Sequence, residues 1–369
     1  MTALGIFIDL SKAFDCLTHD ILLQKLSKYG IRGCELNWFE SYLKDRKQYV
    51  EFEGVKSGTT LITTGVPQGS ILGPLLFLLY VNDLVNASEL FSYILYADDT
   101  TLFLSDNDHE SLIFKANREV EKIAVWFQAN KLLMNTSKTK FMVFSPKGTR
   151  QPNVNCTLQI NGASIPQVNH TNFLGLTIDH KLNWDQHINA ISRKISRGIG
   201  ILSRLKSFLP TYTLQMLYNT LILPHFNYCC LVWGRATQNR LQKVITLQKR
   251  AIRICTKAQP REQSEPLFRM LDTLPLTKLV SFKTGLFMYK FSRDRLPSIF
   301  SNYFVKQSNI HSQCTRRNND YRLPLFRTSF SQSQSIKYHG VNVWSNLDSS
   351  LKNLSFSRFK KTYKLSLLY

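Results

Sequence analysis

Residues 93–103 read YILYADDTTLF, and the paired aspartates at their centre constrain the chain more than any other feature. Strand-forming residues lie on both sides, so the segment is expected to be a β-hairpin with Asp98 and Asp99 at its tip. Aspartate favours turns because its side chain bonds nearby backbone, which is a sufficient reason for either residue alone. Side by side, two like charges repel, and a tight turn gives them little room to separate. A third carboxylate comes from the start of the chain. The apolar run GIFIDL (5–10) suits a buried strand, and Asp9 stands near its end, just before a segment with helical spacing. Taken alone, Asp9 reads as a capping residue near the positive end of that helix. If the two strands are neighbours in one sheet, three carboxylates meet at one edge. Divalent cations resolve such a repulsion. Hard oxygen ligands that leave room for water or phosphate suit Mg²⁺. Two ions about 4 Å apart can activate an attacking hydroxyl and stabilise a leaving pyrophosphate, the requirement of nucleotide polymerisation.

The other elements follow from periodicity. SKAFDCLTHDILLQKLSKYG (11–30) predicts a helix capped by Ser11 and stopped at Gly30, and residues 48–66 alternate as a hairpin. PQGSILGPLLFLLYVNDLV (67–85) opens on a Pro/Gly turn and continues as an apolar, buried helix. Residues 108–134 are an amphipathic helix, and 140–145 and 171–179 are strands. The expected fold class is α+β, a mostly antiparallel sheet with packed helices. After about residue 184 the strand signals fade. Helices are expected over 187–206, 211–230, 240–258 and 355–368, with polar stretches such as 306–322 between them.

Charge divides the chain in the same place. Residues 1–150 hold 16 Lys and Arg against 17 Asp and Glu, and residues 151–369 hold 31 against 8. A net of −1 followed by +23 predicts a polyanionic partner held mainly by the second part, nucleic acid before a membrane face. Seven cysteines at irregular spacing, without C-x-x-C, point to a reduced intracellular protein. HFNYCC (225–230) fits no common zinc spacing and reads as packing. The N-terminus lacks signal-peptide character, and the longest apolar stretch, 71–81, is too short to span a bilayer.

Five blocks, in order, carry a resemblance: FIDLSKAFD (7–15), TGVPQGSILGPLLF (64–77), YADD (96–99), NKLLMNTSKTKFMVF (130–144) and NFLGLTID (172–179). Together they resemble the palm motifs of reverse transcriptases of non-LTR (LINE-type) retrotransposons. The resemblance implies a polymerase palm over 1–180, a helical basic thumb over 181–258 and a basic, mostly helical C-terminal region over 259–369. It implies RNA-directed DNA synthesis with two Mg²⁺ ions, Mn²⁺ being an alternative. Its partners would be an RNA template, a DNA primer or target and deoxynucleoside triphosphates. Its setting would be the nucleus or a cytoplasmic ribonucleoprotein. By the same resemblance, Asp9, Asp98 and Asp99 are the metal ligands, with the Leu10 carbonyl as a further donor. Phe14 matches the steric gate against a ribose 2′-hydroxyl. Gln68 and Gly69 match contacts to nucleotide and template, Tyr96 lies beside the substrate, and Lys138 matches a lysine that protonates or neutralises pyrophosphate. Phe173, Leu174 and Gly175 match the primer grip. Phe14 also reads as a core residue on the first helix, and Lys138 as a solvated turn lysine.

The family's fingers blocks and endonuclease domain are not found in the sequence. The chain is therefore expected to be a fragment of a longer element, a decayed copy or a domesticated remnant. The competing function is an inactive nucleic-acid-binding remnant that uses its palm only as a scaffold.

Overall fold

The computed structural model describes residues 2–144, 157–307, 321–326, 332 and 334–369. The chain divides into two compact units, Met1–Gly175 with Asp179–Leu182, and Leu176–Ile178 with Asn183–Tyr369.

The first unit begins with β1 (Thr2–Ile8) and the two-residue β2 (Leu10–Ser11), followed by α1 (His19–Lys28) and α2 (Cys34–Leu43). An exposed hairpin comes next, in which β3 (Lys47–Gln48) pairs with β6 (Thr60–Leu61), and β4 (Glu51–Phe52) pairs with β5 (Val55–Lys56) beyond them. Then come α3 (Leu72–Val81), β7 (Ser92–Tyr96), β8 (Asp99–Asp106) and α4 (His109–Ala129). The unit closes with β9 (Leu133–Met134), β10 (Lys140–Phe144), β11 (Leu158–Ile160), β12 (Ala163–Ile165) and β13 (His170–Phe173), while β14 (Leu176–Asp179) leads on.

Four strands form the central sheet in the order β10–β1–β8–β7, every ladder antiparallel. Alternation decides its faces. Leu4, Ile6 and Ile8 of β1, with Leu102 and Leu104 of β8 and Phe141 and Val143 of β10, are buried in one core. That core includes Leu112, Ala116, Val120, Ile123 and Phe127 of α4, spaced three or four apart as one helix face requires. Asp108 caps α4 by accepting the Ser111 N–H at 2.7 Å. The sheet-and-helix arrangement expected from the sequence is the one that forms.

In this unit two expectations need correction. The first helix does not start at Ser11. Residues Leu10 and Ser11 pair with Met134 and Leu133, Lys12 turns left-handed at φ 48°, and the helix begins only at His19. Phe14 accordingly lies in a turn, not on a helix. Likewise α3 is buried on one face only, since Leu75 and Leu78 are exposed, and it passes at residue 82 into a 3₁₀ turn.

The second unit is helical: α5 (Asp185–Leu205), α6 (Thr211–Leu221), α7 (Leu223–Asn227), α8 (Cys230–Trp233), α9 (Gln238–Cys255), α10 (Ser264–Met270) and α11 (Leu276–Ser292), then α12 (Ile336–Ser345), α13 (Ser349–Lys352) and α14 (Phe356–Leu368). The helix expected over 211–230 is broken into three. Ile222 departs from helical φ, and Cys229 turns left-handed at φ 47°. Within HFNYCC, Phe226 and Cys230 pack inward, as the packing reading expects, and Cys229 stays exposed. The buried Gln248 side chain organises the core. It donates to Tyr218 Oη and the Leu274 carbonyl at 3.1 Å each, and accepts the Leu276 N–H at 2.8 Å, satisfying an otherwise orphaned amide at the start of α11. Most of the polar stretch 306–322 lies outside the described residues.

Candidate active site

The edge where β1 ends is built from both backbone and side chains. Asp9 follows β1, its carboxylate partly exposed. Its N–H donates to Thr139 Oγ1 at 3.3 Å, and its carbonyl accepts the Asn135 N–H at 2.8 Å. Thr139 is fully buried, and its hydroxyl donates a hydrogen bond to the Asn135 carbonyl at 2.8 Å. The loop Asn135–Thr139 thus grips the backbone of Asp9 from both sides. It also carries Lys138, whose Nζ lies 3.9 Å from Asp9 Oδ2. Thr139 and Asn135 were not singled out from the sequence, because their partner is 126–130 positions away and nothing local signals it.

The β7–β8 hairpin brings the other two carboxylates. Tyr96 pairs with Asp99, leaving Ala97 and Asp98 as the two-residue turn. Ala97 is left-handed at φ 50°, an uncommon conformation for a residue with a Cβ. Asp98 is therefore the turn residue, and Asp99 is the first residue of a strand. The β1–β8 register runs from Thr2 opposite Asp106 to Ile8 opposite Thr100, so one further step sets Asp9 against Asp99. The electrostatics agree. Asp99 is raised above the ordinary carboxylate range, first by partial desolvation, then by the charges of Asp98 and Asp9. Three of the sequence-predicted ligands meet here, with Lys138 beside them. Leu10 is buried in the β2–β9 pair directly after Asp9. Tyr96 is exposed.

A second wall lies alongside. The loop 64–68 is stitched to 14–19 by backbone: Gly65 N–H to Leu17 carbonyl at 2.7 Å, Val66 N–H to Phe14 carbonyl at 3.0 Å, and a bridge from Thr18 to Thr64. Gly65 sits at φ 86°, and a Cβ there would come within 2.9 Å of the Asp15 backbone, so only glycine fits. Gly69 is also left-handed, at φ 84°, but with open space around it. The Phe14 ring packs on Phe77 of α3, centroids 4.7 Å apart, and is half-buried. Between the two loops is a cavity of about 580 Å³ whose lining includes Lys12, Asp15, Arg46, Gln48 and Gln68. Tyr80 on α3 secures the surroundings: its hydroxyl donates to the Asn130 carbonyl at 2.7 Å and accepts the Thr18 N–H at 3.4 Å.

Phe173, Leu174 and Gly175 form the end of β13 and the turn after it, with Leu174 at φ 45° and Gly175 at φ 79°. The Phe173 ring meets Phe7 of β1 edge-on at 6.2 Å, which places this segment beside the strand that ends in Asp9.

The donor set offers oxygen only, three carboxylates with one exposed lysine near Asp9. That composition fits a hard divalent cation. Among the described residues, no group of three or more His, Cys, Asp or Glu side chains is drawn close enough to hold a metal ion by itself. The carboxylates are an open edge, the form a metal shared with substrate phosphates takes.

Comparison with known proteins bears on this geometry. Residues 2–178 match the family model described as reverse transcriptase (RNA-dependent DNA polymerase). Residues 2–178 of the chain are thus a reverse transcriptase domain. Among the proteins it is similar to are polymerases of transposons and mobile elements. It is 28% identical over 305 residues to a probable RNA-directed DNA polymerase from transposon BS of Drosophila melanogaster, covering 78% of this chain and 33% of that one. It is 26% identical over 263 residues to the RNA-directed DNA polymerase from mobile element jockey of the same species, covering 68% of this chain and 28% of that one. The chain therefore spans about a third of the length of these curated relatives. Among solved structures it is similar to an apo telomerase of Candida tropicalis, with a TM-score of 0.39 and 11% identity, over 79% of this chain and 50% of that one. Members of the reverse transcriptase family depend on divalent metal and act on a nucleic acid template. No helix among the described residues is long and apolar enough to cross a membrane.

Proposed function

We propose that this chain carries the polymerising site of an RNA-directed DNA polymerase, extending a DNA primer on an RNA template with deoxynucleoside triphosphates. The observation that carries the reading is the meeting of Asp9, Asp98 and Asp99 at one sheet edge, with Lys138 3.9 Å from Asp9. Asp9 and Asp98 would hold two Mg²⁺ or Mn²⁺ ions, with Asp99 and the Leu10 carbonyl in support. Bound there, the ions supply Lewis-acid activation of the primer 3′-hydroxyl and charge neutralisation at the leaving pyrophosphate. Lys138, on an exposed stem, would reach the phosphates and donate a proton as pyrophosphate departs. Gln68, Gly69 and Tyr96 would contact nucleotide and template, and Phe173, Leu174 and Gly175 would hold the primer end. We assign residues 1–180 to the palm, 181–258 to a basic thumb that follows template–primer phosphates, and 259–369 to a basic C-terminal region.

Phe14 would exclude ribonucleotides by pressing its ring against the 2′-hydroxyl. The Phe77 ring behind it limits its retreat. Phe14→Val is expected to raise ribonucleotide incorporation at least tenfold relative to deoxynucleotides, measured by competition in primer extension. Unchanged selectivity would remove Phe14 from this role.

A further inference from the structure

We propose that Asp15 is a positioning residue whose carboxylate fixes which end of the Gln68 side-chain amide faces the cavity, so that Gln68 meets the sugar of the incoming nucleotide with its oxygen. This rests on the polymerase reading above. Gln68 Nε2 donates to Asp15 Oδ1 at 3.0 Å, across 53 positions of sequence. An ionised carboxylate only accepts, so only the NH₂ end of the amide can turn toward it. The reverse orientation would set two oxygens against each other. The bond is charge-assisted and stronger than a neutral one. It fixes the amide that would otherwise flip between two nearly isosteric orientations.

The frame around the pair is rigid although both side chains are exposed. Gly65 holds the two loops in backbone contact, with its N–H on the Leu17 carbonyl at 2.7 Å and its carbonyl 2.8 Å from His19 Nε2. Any Cβ at Gly65 would push the Asp15 backbone away. The separation of Asp15 from Gln68 is thus set by main chain, and the side chains need only close the last few ångströms.

The consequence is chemical. With one N–H engaged by Asp15, Gln68 presents a carbonyl oxygen and its second N–H to the cavity. A sugar hydroxyl is a donor that such an oxygen can receive. The same cavity is lined by Lys12 and Arg46, which attract phosphate oxygens, while the Asp15 carboxylate repels them. The cavity therefore offers cations for phosphate oxygens and, at Gln68, an acceptor for a sugar hydroxyl. Asp15 directly follows Phe14, whose carbonyl accepts the Val66 N–H, so the gate and the amide are mounted on the same pair of loops.

The test uses the full chain with Asp15→Asn, Gln68→Leu and the double variant. The first readout needs no activity. The Gln68 side-chain amide is followed by ¹⁵N NMR, its signal assigned by loss in Gln68→Leu. In the parent its protons should exchange slowly and resonate away from free glutamine, and Asp15→Asn should return them toward free values. The second readout is primer extension. Asp15→Asn should raise KM for deoxynucleotides about tenfold while kcat changes less than about threefold, and it should add nothing in the Gln68→Leu background. An amide signal indifferent to Asp15→Asn, or effects of the two substitutions that multiply, would overturn the proposal. Primer extension by the parent with either of those results sinks this inference alone. No extension by the parent, with an amide that does respond, sinks the polymerase reading and Asp15's positioning role with it.

Discussion

Asp99 is held above the ordinary carboxylate range by partial desolvation and by the charges of Asp98 and Asp9. The sign matters for stability. A carboxyl whose folded value is raised above its unfolded one favours folding below the unfolded value, and that advantage is lost as pH rises through the folded value. Near neutrality the cluster is therefore under repulsion, which a divalent cation bound there would relieve. Mg²⁺ at concentrations well above its dissociation constant should raise the melting temperature of the parent at pH 7 by about 2–5 °C. Asp98→Asn should melt about 1–3 °C higher than the parent without Mg²⁺ and gain little from it. Differential scanning fluorimetry with and without the ion checks both; a parent indifferent to Mg²⁺ contradicts a metal role for these residues.

Elements carry the site only where their backbones touch. Gly65→Ala would combine a strained φ with a Cβ 2.9 Å from Asp15 backbone, and is expected to cost about 2–4 kcal/mol by urea denaturation. A loss below about 0.5 kcal/mol would show that the two loops part easily. In α5, His187 is 4% exposed, accepts the Thr177 N–H at 3.4 Å on Nδ1, lies against Trp233, and leaves Nε2 unpartnered. Burial, aided by Lys194, depresses it from 6.5 to about 4. The unfolded chain therefore binds this proton first as pH falls, and the second unit should lose about 3 kcal/mol between pH 7 and pH 4. His187→Gln should flatten that acid limb of the stability profile; an unchanged limb would assign it to other groups. Local pattern made β1, β8, α4 and α5 legible in the sequence, since alternation or helical spacing is continuous there. It misled at 11–18, where pairing of Leu10 and Ser11 with residues 133–134 overrides helical spacing. It misled again at 222–229, where the helix breaks just before Pro224 and again at the left-handed Cys229. The carboxylates and Phe14 were legible as a motif, but the grip of Thr139 and Asn135 on Asp9 and the bond from Asp15 to Gln68 were not. They join residues far apart in sequence through contacts that leave no period or composition behind.

At the scale of the molecule, charge and chemistry are separated along the chain. The part with the carboxylates is near neutral, and residues 151–369 carry a net +23. Phosphate binding by such a surface is independent of sequence and weakens steeply with salt, whereas the proposed synthesis would depend on a few oxygens at one sheet edge. The two properties should therefore come apart under mutation. The most direct test is primer extension on an RNA template with Mg²⁺ and deoxynucleotides, comparing the parent with Asp98→Asn, alongside template binding by both. The expected result is extension by the parent, a loss of at least about a thousandfold in the variant, and equal, salt-sensitive binding. Template binding by both with extension by neither would contradict the account and leave a nucleic-acid-binding chain that polymerises nothing.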